Sequence, residues 1–152
     1  MTKNMLAAAI ALAVTLAGPR VARAGADESQ AKEIAQLEVG ILDEAAKAFS
    51  QLRAFLPDES KSCAVAHKDA SNDLDLRLRH IKELKAKLKD LRSRADADTI
   101  AEAEKQAKAD REAALQKMRT PETQKVLKRF QQRCPSEAAT LKVKWGQLPQ
   151  AE

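Results

Sequence analysis

The chain has 152 residues, of which 44% are hydrophobic and 32% are charged, with 27 basic and 22 acidic residues. This length fits one domain rather than two. The spacings of a nucleotide-binding P-loop, a dinucleotide-binding glycine motif, HExxH, GxSxG and CxxCH are all absent from the sequence. We therefore expect a protein that is not an enzyme.

The first 24 residues have the organisation of a secretory signal peptide. They contain Lys3, no acidic residue, and a mainly apolar run over Met5–Ala17. As a helix this run would be about 20 Å long, which is shorter than the roughly 30 Å core of a bilayer. We predict a leader over residues 1–24, removed after Ala24 or Ala26, and a mature periplasmic or secreted protein without a membrane span. Residues 25–152 would then form one domain.

Removal of the leader changes the charge of the protein. Lys3, Arg20 and Arg23 leave with it, so that 24 basic and 22 acidic residues remain and the net charge falls to +2. This small excess and the exported location both argue against a nucleic-acid partner.

Apolar residues of the mature part recur every three or four positions, as on one face of an amphipathic helix. The first stripe covers residues 27–56 and ends at Pro57. Ser71 or Asp73 is expected to cap the second helix, while residues 61–70 could form a separate turn or the beginning of that helix. The stripe of the second helix is the most regular and comprises Leu74, Leu78, Ile81, Leu84, Leu88, Leu91 and Ala95.

The C-terminal half shows further helical segments separated by capping and proline signals. Residues 96–98 can cap a third helix, whose alanine-rich stripe should either pack closely or fray. Thr120 followed by Pro121 marks the start of a fourth helix, predicted to include Cys134, and Pro135 should end it before one last turn or two. No segment alternates with the period of a strand. We predict an all-α, small antiparallel bundle of three long helices and one or two short C-terminal helices.

Two cysteines, Cys63 and Cys134, lie in the mature part. An even number of cysteines in an exported chain favours a disulfide. The bridge would close a loop of about 70 residues and stabilise the fold by about 4 kcal/mol.

An alternative is a metal or haem carrier. Cys63 and His67 are four residues apart and would share a helix face, with His80 and Met118 as further ligands. A cysteine in a disulfide cannot act as a thiolate ligand, so the two hypotheses compete. We expect no cofactor.

Two basic stripes are the strongest indication of function. If they face solvent, they could hold a protein or an anionic envelope component, as in a chaperone-like or adaptor-like binding protein. They could instead pair with acidic residues of a neighbouring helix, for instance Asp98, Glu102 and Asp110, or belong to a purely structural envelope protein. The stripes comprise Lys82, Lys85, Lys89 and Arg92 in the second helix, and Lys125, Arg129 and Arg133 in the fourth.

Overall fold

The computed structural model describes residues 20–119 and 121–149, with side chains from Glu28 onward. This part of the chain contains five α-helices and no strand, which confirms the predicted all-α bundle with two short C-terminal helices. Residues 1–19 of the predicted leader lie outside the described part, and residues 20–24 form the first turns of α1. No described helix combines the length and the hydropathy needed to cross a membrane. The helices are α1 (Arg20–Phe55), α2 (Cys63–Arg94), α3 (Ala97–Met118), α4 (Pro121–Arg133) and α5 (Pro135–Trp145).

The second helix begins earlier than the sequence pattern predicted. The Ser62 side chain accepts a hydrogen bond from the Val65 amide at 3.3 Å and caps α2. Ser71, one of the two expected caps, is buried within the helix. The cap of α3 is confirmed, because the Asp96 carboxylate accepts from the Thr99 amide at 2.8 Å.

The junction between the two short helices also differs from the prediction. Cys134 lies between α4 and α5 rather than on the side of α4. Pro135 both prevents the continuation of α4 and begins α5, because the first turn of a helix does not need its amide proton.

Helix α1 is the centre of the bundle, since it packs along α2, α3 and α4. Helix α2 runs antiparallel to α1, and α3 returns parallel to α1. Ala103 and Ala107 of α3 are buried against Ala31, Ile34 and Ala35 of α1. The alanine stripe therefore packs closely, which is one of its two predicted outcomes.

The two halves of the bundle differ in the number of helices. Around the C-terminal half of α1, the helices α2, α4 and α5 complete a four-helix arrangement with Leu52, Leu74, Phe130 and Leu141 in its core. Around the N-terminal half of α1 only α2 and α3 are present in the described chain, and these two helices have little contact with each other.

A disulfide connects the start of α2 to the junction of α4 and α5. Cys63 and Cys134 are bonded, with their Cα atoms 5.6 Å apart, as the cysteine count predicted. Helix α5 consequently lies beside the N-terminal half of α2 and runs parallel to it. Disulfides of this kind are typical of oxidising compartments.

Candidate binding face

The basic stripe of α2 divides into an exposed part and a structural part. Lys82, Lys85 and Lys89 are exposed, and within the described chain none of them forms an ion pair. These three side chains remain available for a partner.

Arg92, the fourth member of that stripe, serves the fold. It hydrogen-bonds to Glu38 of α1 and lies 3.6 Å from Glu104 of α3. Arg111 of α3 approaches the same Glu38 carboxylate at 3.7 Å. Glu38 is only 9% exposed, and Arg92 and Arg111 bring cations to its carboxylate, so that this cluster connects the three long helices.

The basic stripe of α4 divides in the same way. Arg133 donates hydrogen bonds to the backbone carbonyls of Leu56 and Asp58, each at 3.3 Å. It thereby satisfies carbonyls at and beyond the C-terminal end of α1, where a cation is favourable. Lys125 and Arg129 stay exposed.

The alternative in which the α2 lysines pair with Asp98, Glu102 and Asp110 of α3 does not occur in the described chain. In the described chain no ion pair joins these two groups, because α3 packs on α1 and has little contact with α2. The acidic partners of α2 come mainly from α1, and Arg77 of α2 binds Glu44 at 2.9 Å.

Glu44 lies at the centre of a charge network between α1 and α2 that the sequence pattern did not predict, with Glu44, Arg77 and Asp73 mostly buried and Lys47 and His80 exposed. Besides Arg77, it binds Lys47 at 2.8 Å and lies 3.4 Å from Nδ1 of His80. Arg77 also lies 3.5 Å from Asp73. Burial alone would raise the pKa of the Glu44 carboxyl, but hydrogen bonds from Lys47 and Arg77 lower it from 4.5 to about 2.

We expect Glu44 to stabilise the fold in a pH-dependent manner. Because folding lowers its pKa, the contribution is complete above pH 4.5 and is lost as the pH falls towards about 2. Replacing it, Glu44→Gln, should cost about 2 kcal/mol at pH 6, allowing for solvent screening, and much less at pH 2. Urea unfolding of both proteins across this range measures the difference. Glu83→Gln, at an exposed position of α2, should show no such trend, and a parallel loss in Glu44→Gln at every pH would contradict the assignment.

The candidate metal ligands are not gathered into one site. Cys63 is bonded to Cys134, and His67 lies one turn further along α2. His80 is on the same helix, 13 residues and about 20 Å beyond His67. Met118 is buried in the core. Among the described residues there is no cluster of three or more His, Cys, Asp or Glu side chains that could hold a metal ion.

An open depression of about 570 Å³ borders two of the three exposed lysines, Lys82 and Lys85. Leu78 of α2 contributes apolar surface, with the buried Ile81 beneath it. Asp75, Lys82 and Lys85 line the depression on the same helix, and Gln147 borders it just beyond the end of α5.

Arg79 also lines this depression, although it was not among the residues predicted from the sequence. Its position three residues before Lys82 was the available signal, because residues three apart are neighbours on a helix surface. The basic character of the depression therefore begins one helical turn before Lys82.

The fold and the site define an all-α, disulfide-linked bundle with an exposed basic face on α2. The chain matches no protein-family model, no curated protein and no solved structure.

Proposed function

We propose that the protein is an exported, non-catalytic helical binding protein that holds an anionic partner on Lys82, Lys85 and Lys89. The observation that carries the proposal is the exposure of these three lysines without an acidic partner in the described chain. A row of unpaired cations of this kind attracts acidic groups and gives orientation to their approach. The partner is a protein or another anionic component of the cell envelope, and the role is chaperone-like or adaptor-like.

Two features support a periplasmic or secreted location. The first is the composition of residues 1–24, with a basic start, an apolar run and small residues at the exit. The second is the bond between Cys63 and Cys134, since cytosolic reductants keep most thiols reduced. An envelope partner is consistent with both.

Charge reversal on the basic face tests the proposal. The variant Lys85→Glu/Lys89→Glu should be captured about tenfold less by the envelope fraction of the native host than the unchanged protein, because two attractive contacts become repulsive. Capture should also fall with increasing salt. Quantitative immunoblotting of the retained protein measures both effects.

A matched control separates the face from net charge. Lys68→Glu/Lys87→Glu makes the same charge change at two exposed positions of α2 outside the stripe. This control should be captured as well as the unchanged protein. Equal capture of all three proteins would show that Lys85 and Lys89 are not part of the binding face.

A further inference from the structure

The exposed lysines continue the face of α2 on which α5 lies. Lys144 of α5 donates hydrogen bonds to Ser71 at 2.6 Å and to Asp75 at 2.7 Å. The same face continues with steps of three and four residues, so that its members lie in one row along the helix. In order, these members are Ser71, Asp75, Leu78, Lys82, Lys85 and Lys89.

Helix α5 covers only the first part of this row. It ends at Trp145, and Gln147 borders the depression beside Lys82 and Lys85. Beyond that point the bundle changes from four helices to three in the described chain, and the open depression lies beside α2 where α5 ends. The uncovered row is therefore continuous with an existing helix-packing surface.

The charge of the row reverses where α5 ends. In the covered part, a cation of α5, Lys144, meets the Asp75 carboxylate of α2. In the uncovered part, α2 itself presents the cations, and the partly exposed Leu78 provides apolar surface beside them. A complementary occupant has acidic side chains next to an apolar stripe.

The spacing of the lysines favours a helical occupant. Lys82, Lys85 and Lys89 are separated by rises of about 4.5 and 6 Å along α2. Acidic residues with the same three- and four-residue steps on a neighbouring helix have the same rises. Same-face residues of an extended strand are about 6.6 Å apart and lose register with the lysines.

From these observations, and on the basis of the proposed function, we propose that the row from Leu78 to Lys89 binds an acidic amphipathic α-helix of another protein. The helix lies along α2 where α5 leaves it, with carboxylates on the three lysines and an apolar side chain against Leu78. The row extends over about 17 Å, which corresponds to a partner helix of about three turns.

Synthetic peptides test the inference on the full-length, oxidised protein. The probe is a peptide of about 15 residues with glutamates at three- and four-residue steps beside a leucine stripe. The comparison peptide has the same composition in a scrambled order. We expect the amphipathic peptide to bind at least about tenfold more tightly than the scrambled one, with amide chemical-shift changes concentrated around residues 78–89.

Variants locate the binding on α2. Lys82→Glu/Lys85→Glu should weaken binding of the amphipathic peptide by about tenfold or more. Lys68→Glu/Lys87→Glu should leave it within about twofold. Circular dichroism of both variants verifies that the helices are intact.

The outcomes also separate this inference from the proposed function. Equal binding of the two peptides would overturn the helix-docking inference. So would a lack of peptide binding combined with Lys82-dependent and Lys85-dependent binding to phosphatidylglycerol vesicles, which would indicate a lipid surface. In either case the proposed anionic partner stands if Lys85→Glu/Lys89→Glu still reduces capture by the envelope fraction, and it falls if capture is unchanged.

Discussion

Reduction of the Cys63–Cys134 bond should lower the free energy of unfolding by about 4 kcal/mol. The two residues are 71 positions apart, and the bridge restricts the unfolded chain by closing that long loop. This loss is a large share of the total stability of a small domain, and about half of the buried apolar residues in the described core are alanines, which bury little area each. Urea unfolding with and without reductant measures the effect. Protein isolated from its native compartment should contain no free thiol when labelled after denaturation.

A double variant provides the control. Cys63→Ser/Cys134→Ser should be about as unstable as the reduced protein or slightly less stable, since Cys134 is only 1% exposed and a serine there buries a hydroxyl group. Reductant should not change the stability of this variant. A loss below about 1 kcal/mol on reduction of the unchanged protein would contradict the role assigned to the bond.

Enlarging Ala103 should destabilise the bundle by about 3 kcal/mol. Ala103 is fully buried where α3 packs on Ala31, Ile34 and Ala35 of α1. In Ala103→Leu, the larger side chain has no space unless α3 moves away from α1, which is the cost of overpacking a closely packed interface. Thermal and urea unfolding measure the loss.

Ala109→Leu makes the same chemical change at an exposed position of α3. It should alter stability by no more than about 0.5 kcal/mol. If Ala103→Leu were as stable as Ala109→Leu, α3 would not be packed closely on α1. In that case the contacts of Glu38 with Arg92 and Arg111, and not the alanine interface, would be what positions α3 beside α1.

The basic stripe of α2 shows why cations that serve binding and cations that serve the fold were hard to separate in the sequence. Arg92 and Lys89 belong to one regular stripe, yet Arg92 reaches buried Glu38 while Lys89 stays exposed. The signal for this difference was weak. The signal was that Glu38 follows Leu37 of the apolar stripe of α1. A carboxylate placed at the edge of a buried face favours a cationic partner from another helix.

Local patterns in the sequence were sufficient for several features. The helical class followed from apolar residues at three- and four-residue steps, because one turn of a helix places such residues on one face. The cap at Asp96 and the start at Pro121 depend only on their immediate neighbours. The bond between Cys63 and Cys134 followed from there being only two cysteines.

Only the tertiary structure decided which helices are neighbours and which charges remain free. The small alanines allow α3 to approach α1, and this places it away from α2. Arg92 meets Glu38 across 54 positions of sequence, and Arg133 reaches the carbonyl of Leu56 across 77. Such contacts depend on how distant segments fit together, whereas helix periodicity and capping act within a few residues. The exposure of Lys82, Lys85 and Lys89 is a result of that arrangement.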